Sequence, residues 1–246
     1  MPENVVVIDC FPQSVHKWEG FAVVAIDVVR ATTTAITTVA MGRRCFPVAT
    51  TDQAFDMAAN LDDPLLVGEM GGVMPEGFEI TNSPAAVAAR SDIHRPAILL
   101  SSSGTRLCQA AAKHEHVFLA SLRNYTALAG HLAAQGFSKI AVIGAGTHNE
   151  FREEDQMCCA WIAKLLIFNG YSPGTQDTSA IADAWCNSSA DAWVEGKSAA
   201  YLRRTNQLHD LDFILGHVDD LDAVFRLQNG EVRMERAVVF GGMANV

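Results

Sequence analysis

Acidic, basic and hydroxyl side chains gather in four short polar segments of this 246-residue sequence. In the first segment, Asp27 and Arg30 precede a run of three threonines that begins at Thr32. A carboxylate is a hard ligand that suits Mg²⁺, and an arginine can hold a phosphate through two hydrogen bonds. A salt bridge between Asp27 and Arg30 is the structural alternative. Hydroxyl groups at the start of a helix favour either capping or contact with an anion.

The other three segments offer complementary groups. Glu69 lies among the glycines of residues 68–72, where the backbone can approach a ligand closely, although a solvated surface turn fits the same pattern. Residues 101–105 present hydroxyl and N–H groups that suit an anion or an ordinary helix cap. The segment Gly144-x-Gly146 lacks the third glycine of a dinucleotide-binding fingerprint, so no such cofactor is predicted.

Three acidic residues, Glu153, Glu154 and Asp155, begin a predicted helix shortly after the fourth segment. In the first turn of a helix they complement its dipole, and as oxygen ligands they suit a metal ion. The six cysteines show no C-x-x-C spacing, and the G-x-S-x-G motif of serine hydrolases is absent. The sequence therefore favours oxyanion and metal chemistry over thiol, zinc or serine chemistry.

Each polar segment follows an apolar run that is typical of a buried parallel strand. The predicted strands are residues 5–8, 21–29, 65–68, 97–101, 117–120, 139–144 and 237–240. The predicted helices are residues 32–41, 52–61 with Thr51 or Asp52 as N-cap, one from Pro84 with Ser83 as N-cap, 105–113, 124–135 and 153–168.

This alternation predicts the α/β class, in one three-layer α/β/α domain over residues 1–246 with a mostly parallel or mixed sheet. From about residue 171 the chain looks more helical. Ligands of such sheets bind beyond the carboxyl ends of the strands, so we expect the polar segments to meet there.

Composition excludes several classes of protein. Hydrophobic residues make up 49% and charged residues 19% of the chain, which is ordinary for a globular protein. The net charge of −10 argues against a nucleic-acid partner. No apolar stretch approaches the ~20 residues of a membrane span, and we expect a cytoplasmic protein with reduced thiols. A homo-oligomer stays open, because Trp185 and Trp193 fit either core or an interface.

Together, the polar segments resemble the 2-phosphosulfolactate phosphatase family. The resemblance covers about residues 21–166, with a weaker match around residues 198–202 and 210–213. The segments that carry it are residues 26–34, 68–71, 77–79 and 82–84, then 102–105, 123–124, 145–146 and 154–155. The first of them is highly specific, and the others gain weight from their common order.

The resemblance implies a Mg²⁺-dependent phosphatase that converts 2-phosphosulfolactate into sulfolactate, a step towards coenzyme M. By position, it points to Asp27, Arg30, Glu69, Asn82, Gly104, Thr105, Glu154 and Asp155. We expect Asp27 to hold the metal with help from Glu69, Glu154 or Asp155. The phosphate would contact Arg30, Thr32, Asn82 and the N–H groups around Ser103, Gly104 and Thr105. Arg106, Arg123 and Arg152 are candidates for a carboxylate or sulfonate.

Two departures from the family pattern touch these loops. Thr81 replaces a glycine, which would strain a backbone that needs a positive φ, and Ser103 replaces an asparagine. The sequence therefore leaves alternatives: the same chemistry on another phosphorylated organic acid, or a non-catalytic relative that binds an anion or a protein partner.

Overall fold

The computed structural model describes residues 4–147 and 149–238. Within them, ten strands form one sheet: β1 (Val5–Cys10), β2 (Ala22–Ile26), β3 (Cys45–Val48), β4 (Leu65–Gly68), β5 (Ala97–Leu100), β6 (Val117–Ala120), β7 (Lys139–Gly144), β8 (Ser172–Pro173), β9 (Ala223–Gln228) and β10 (Glu231–Arg236). The helices are α1 (Ala31–Ala40), α2 (Thr51–Ala58), α3 (Pro84–Ala88), α4 (Gly104–Ala111), α5 (Tyr125–Ala134), α6 (Glu153–Phe168), α7 (Gln176–Trp185), α8 (Lys197–Arg204) and α9 (Leu208–Gly216), with a 3₁₀ helix over Pro12–Trp18.

The sheet consists of two parallel blocks joined by an antiparallel hairpin. The strand order is β4-β5-β3-β10-β9-β6-β2-β7-β1-β8. All pairs within β4-β5-β3 and within β6-β2-β7-β1-β8 are parallel. The hairpin β9–β10 pairs antiparallel with β6 on one side and with β3 on the other. The two blocks therefore run in opposite directions.

Helices cover both faces of this sheet, which confirms the three-layer α/β/α prediction. On one face, α1 and α4 share a single core cluster with strands of both blocks. On the other face, α5, α6, α8 and α9 cover the larger block, and α2 covers the β3–β5 block. Strand β2 is buried on both sides, because Val24 and Ile26 face one cluster while Val23 and Ala25 face the other. That double burial explains its uniformly apolar sequence.

Most predicted elements are present within two or three residues of their expected bounds. Strand β2 stops at Ile26, so Asp27 lies in the following turn and not inside the strand. Ser83 caps α3 and Pro84 is its first residue, as predicted. Thr50, not Thr51 or Asp52, caps α2: its hydroxyl accepts the Gln53 N–H at 3.2 Å.

The predictions missed four strands and misplaced the last one. Strands β3, β8, β9 and β10 were not expected. Ala237 and Val238 lie outside any strand, so a strand over residues 237–240 is wrong for those two positions. Residues 239 and 240 lie outside the described residues.

Candidate active site

One cavity of about 820 Å³ brings together loops that follow four strands. Its lining includes Asp27 and Arg30 after β2, Glu69 after β4, Ser103 after β5 and Thr147 after β7. Helix α8 supplies much of the remaining wall. The four polar segments predicted to meet beyond the strand ends therefore all contribute to this cavity.

Asp27 is buried against the amino terminus of two helices. Backbone N–H groups of Ala31 and Gly104, at the starts of α1 and α4, hydrogen-bond to its carboxylate and lower its pKa. Burial outweighs them and, with the nearby charge of Glu69, raises the pKa of Asp27 from 3.8 to about 6. A bound cation would therefore stabilise the charged form of this carboxylate, because it would replace the solvation that burial removes.

Gly104 allows this close approach. A Cβ atom at position 104 would collide with the Asp27 carboxylate and would lie 2.7 Å from the Ala31 Cβ. A glycine is therefore required at position 104, because the site has no room for a side chain there.

Arg30 lines the cavity but does not form the salt bridge with Asp27 that the sequence left open. Its Nη1 donates to Asp210 Oδ2 at 2.6 Å and to the side-chain oxygen of Gln207, both brought in by the start of α9. The peptide bond between Val29 and Arg30 is cis.

Glu69 organises the loop after β4. Its Oε1 accepts the Ser102 N–H at 2.7 Å, and its Oε2 accepts the Gly72 N–H at 2.6 Å and the Ser102 hydroxyl at 2.9 Å. Both oxygens are thus already hydrogen-bonded, which makes Glu69 a link between two cavity loops.

Glu154 and Asp155 begin α6 and lie buried behind the cavity. Asp155 accepts the Val28 N–H at 2.8 Å and the Gly146 N–H at 3.2 Å, so it holds the loops after β2 and β7. Glu154 hydrogen-bonds to Ser198, a lining residue of α8, while its Oε2 has no partner in the described part of the chain. Burial raises the pKa of Glu154 to about 7, and the Asp27 charge adds to the shift.

The cavity also has several cationic lining residues. Arg106, Arg152, Lys197 and Arg204 all line it. Glu150 contacts Lys197 at 2.6 Å and Arg152 at 3.5 Å. Arg106 has no carboxylate within ion-pair distance among the residues the structure describes; its Nη2 lies 3.7 Å from the Met70 sulfur.

Asn82 and Ser103 also reach the cavity. Asn82 is buried, and its Oδ1 has no hydrogen-bond partner within residues 4–147 and 149–238. Ser103 is the N-cap residue of α4, but its side chain makes no cap hydrogen bond there. Both side chains therefore have polar atoms left for a ligand.

Three predicted substrate contacts lie elsewhere. Thr32 is fully buried, and its hydroxyl bonds to the Asp27 and Ala120 backbone. Thr105 caps Ser101 through paired side-chain and backbone hydrogen bonds of 2.8–3.0 Å. Arg123 is held by Asp220 and by the Thr37 hydroxyl at 2.9 Å, away from the cavity lining. Local backbone and ion-pair partners already use the polar groups of these three residues, and none of the three lines the cavity.

Sequence reasoning missed the contribution of α8. Lys197, Tyr201 and Arg204 line the cavity, and the Tyr201 hydroxyl donates to the Gly72 carbonyl at 3.1 Å. Their spacing of four and three residues places them on one face of a helix, which was the available signal.

The departure at Thr81 causes no backbone strain. The described non-glycine residues with positive φ do not include Thr81. The threonine thus occupies a conformation open to any residue, and the loop before Asn82 keeps its course without the family's glycine.

The donor set fits a hard divalent cation held by few protein ligands. Among the described residues, no three His, Cys, Asp or Glu side chains form a preformed metal cluster. The donors available to such a cation are two desolvated carboxyl groups, Asp27 and Glu154, and two unpartnered oxygens, Glu154 Oε2 and Asn82 Oδ1. Mg²⁺ typically takes one or two carboxylates and completes its shell with water and substrate phosphate.

Comparison with known proteins identifies the family. A family model described as 2-phosphosulpholactate phosphatase matches residues 7–230. The chain belongs to the 2-phosphosulfolactate phosphatase family. The family resemblance, and with it the prediction of a phosphoric monoester hydrolase, is confirmed.

Curated relatives share this family name. A probable 2-phosphosulfolactate phosphatase of Deinococcus radiodurans is 34% identical over 165 residues, 66% of this chain and 68% of the relative. Its namesake in Symbiobacterium thermophilum is 34% identical over 66% of this chain and 71% of the relative. One from Clostridium perfringens is 28% identical over 87% of this chain and 89% of its own length.

Within the described residues, no helix is both long and apolar enough to span a bilayer.

Proposed function

We propose that this chain hydrolyses the phosphate monoester of a small, multiply anionic hydroxy acid in a Mg²⁺-dependent reaction. The proposed substrate is 2-phosphosulfolactate, and the products are sulfolactate and inorganic phosphate. The observation that carries the proposal is the combination of the buried carboxyl groups of Asp27 and Glu154 with the cationic side chains that line the cavity. The family model and the names of the relatives support the same substrate.

The charge of the cavity indicates the substrate class. The chain as a whole has a net charge of −10, yet five cationic side chains line the cavity against two carboxylates. The cations are Arg30, Arg106, Arg152, Lys197 and Arg204, and the lining carboxylates are Asp27 and Glu69. Concentrating cations in one cavity of an acidic protein favours a ligand with more than one negative group.

The cation would be held by Asp27 and Glu154, with the Asn82 carbonyl oxygen as a neutral third ligand. When bound, Mg²⁺ polarises the phosphoryl group and orients the leaving oxygen. Glu69 and Asp155 would act by fixing the loops around it, because their oxygens already accept backbone N–H groups.

The remaining residues would bind and orient the substrate. Arg30 and Ser103 would bind the phosphate, which gains charge in the transition state, because the neighbouring N–H groups of Ser102, Gly104 and Thr105 already have partners. Arg106 and Arg152 would contact the carboxylate or sulfonate. The attacking group is either the Asp27 carboxylate, which would form an acyl phosphate that water then cleaves, or a water molecule. Acid quenching during turnover of ³²P-labelled substrate distinguishes the two, since only the covalent route leaves a hydroxylamine-labile phosphoryl group on Asp27.

The non-catalytic alternative loses its main support. It rested on Thr81 and Ser103, but Thr81 is unstrained and Ser103 still offers a free hydroxyl to the cavity. A different phosphorylated hydroxy acid remains the alternative substrate, because the cationic lining residues recognise charge and not a particular acid.

The decisive experiment measures phosphate release from racemic 2-phosphosulfolactate and from phospholactate, with Mg²⁺ and with a chelator. We expect Mg²⁺-dependent release that favours the sulfonate. We expect Asp27→Asn to abolish release, while the control Asp56→Asn, on the exposed face of α2, leaves it unchanged. Release from phospholactate alone would reassign the substrate, and full activity in the chelator would refute the metal dependence.

A further inference from the structure

Arg30 is anchored through one corner of its guanidinium group. Every hydrogen bond that it makes in the described part of the chain leaves from Nη1, to Asp210 and Gln207. Its Nε and Nη2 have no partner there, although the side chain is only 4% exposed and lines the cavity. An arginine fixed in this way presents its remaining N–H groups in one direction, as recognition of an oxyanion requires.

Asp210 is itself fixed from the other side. Its side chain is fully buried, and its Oδ1 accepts the Ser83 hydroxyl at 2.5 Å and the Ala85 N–H at 3.2 Å. His209 Nε2 lies 3.8 Å from the same oxygen. Ser83 and Ala85 begin α3, directly after the cavity residue Asn82. The carboxylate thus joins three chain segments that are distant in sequence: the β2–α1 turn, the start of α3 and the start of α9.

We propose that Asp210 is a positioning residue for phosphate recognition: it holds Arg30 in the orientation that binds the phosphoryl oxygens and sets Asn82 relative to it. This inference rests on the proposed function. Asp210 does not line the cavity and touches no substrate; it acts through Arg30 and the α3 loop.

A second arginine–aspartate pair, whose aspartate is 30% exposed, offers a control outside the cavity. Arg123 Nε donates to Asp220 Oδ1 at 2.9 Å, and the Arg123 side chain is 9% exposed. Neither residue lines the cavity. Removing the charge of Asp220 therefore breaks an ion pair of the same type without disturbing phosphate recognition.

The test compares Asp210→Asn with Asp220→Asn in kcat, KM and binding of inorganic phosphate. We expect Asp210→Asn to lower kcat about 10²-fold, the cost of a misplaced contact, and to weaken phosphate binding roughly tenfold. Asp220→Asn should leave both within about twofold. A loss in Asp220→Asn equal to that in Asp210→Asn, or none in either, would overturn the proposal.

A double-mutant cycle with Arg30→Gln separates positioning from stability. If Asp210 acts through Arg30, Asp210→Asn costs little further activity once Arg30 is gone, because the two losses are not additive. Equal losses in both backgrounds, with equal melting temperatures, would show that Asp210 acts independently of Arg30 and would refute the proposal.

A milder variant keeps the test decisive if Asp210→Asn does not fold. Ser83→Ala removes one hydrogen bond to Asp210 and keeps its charge; it also removes the N-cap hydrogen bond of α3, which lowers stability by about 1 kcal/mol, so kcat should fall about tenfold or less in a folded protein. Unchanged kcat and phosphate binding in Ser83→Ala would then contradict the positioning role.

If the wild type hydrolyses no phosphate ester but binds phosphate, the proposed function fails, while the measurement of phosphate binding still tests Asp210. A wild type that does neither refutes both.

Discussion

Gly104 and Asp27 are in direct contact, and the contact leaves no room for a methyl group. A Cβ at Gly104 would overlap the Asp27 carboxylate and would lie 2.7 Å from the Asp27 Cβ. The backbone N–H of the same glycine hydrogen-bonds to that carboxylate. Gly104 thus restricts the position of the Asp27 carboxyl group, and its N–H group lowers the pKa of that carboxyl.

Gly104→Ala should therefore reduce both activity and stability. Displacing Asp27 should lower kcat by about 10²-fold, while overpacking costs about 1–3 kcal/mol of unfolding free energy. The control is Gly130→Ala in α5, where an added Cβ meets no atom within 4 Å. It should keep full activity and raise stability by roughly 0.5–1 kcal/mol. Wild-type kcat in a folded Gly104→Ala protein would contradict the assigned contact.

The metal-free protein should lose stability as the pH rises. Burial raises the pKa of Asp27 from 3.8 to about 6 and that of Glu154 from 4.5 to about 7. The folded state therefore binds more protons than the unfolded chain between about pH 4 and pH 7, so unfolding free energy falls across that range. Urea unfolding in a chelator at pH 5 and pH 8 measures the difference.

Variants assign that pH dependence to the two carboxyl groups. Asp27→Asn with Glu154→Gln should reduce the slope relative to the wild type; Asp155, whose pKa burial and the charges of Asp27 and Glu154 also raise, contributes in the same sense. His131 works in the opposite sense, since burial lowers its pKa, but it is common to both proteins and cancels in the comparison. Equal slopes in the two proteins would show that these carboxyl groups do not retain their protons.

Arg106 should determine affinity for a second anionic group. Arg106→Ala should raise KM for 2-phosphosulfolactate about tenfold, because a charge-assisted hydrogen bond is lost, and should leave KM for glycerol phosphate nearly unchanged. Arg203→Ala is the control, since Arg203 pairs with Glu195 at 3.4 Å outside the cavity lining. An equal rise in KM for both substrates would place Arg106 at the phosphate instead.

Restoring the family's glycine should not improve the enzyme. Thr81→Gly should keep kcat within about twofold, because position 81 needs no positive φ, and should cost about 0.5–1 kcal/mol of stability through added chain entropy. A large gain in kcat would show that the threonine restrains the loop before Asn82.

The sequence predicts those parts of the fold whose signal is local. Uniformly apolar runs located β2, β6 and β7, and Ser83-Pro84 marked the start of α3. Strand β3 was not predicted because its four residues include Pro47, and proline is unusual within a strand. The β9–β10 hairpin could have been found: Asn229 and Gly230 both have positive φ, and Asn-Gly favours such turns.

Within the site, residue type was informative but partners were not. Asp27, Arg30, Glu69, Asn82, Ser103, Arg106 and Arg152 all reach the cavity as expected. Nothing local to Arg30 shows that its partner is Asp210, 180 residues further along the chain. Likewise, residue type alone favoured the Thr32 hydroxyl as an anion ligand. In the structure, this hydroxyl donates a hydrogen bond to the Ala120 carbonyl at 2.7 Å.

The hairpin that joins the two sheet blocks has a consequence for synthesis of the protein. Residues 223–236 are the last described strands to leave the ribosome, and they alone link β3 to β6 in the sheet. Until they arrive, both blocks present an open edge, which is a known template for aggregation. Asp210 also emerges late, so the nascent chain carries Arg30 long before anything can orient it. The orientation of Arg30 and the closure of the sheet therefore both depend on segments that are synthesised after the strands they join or orient.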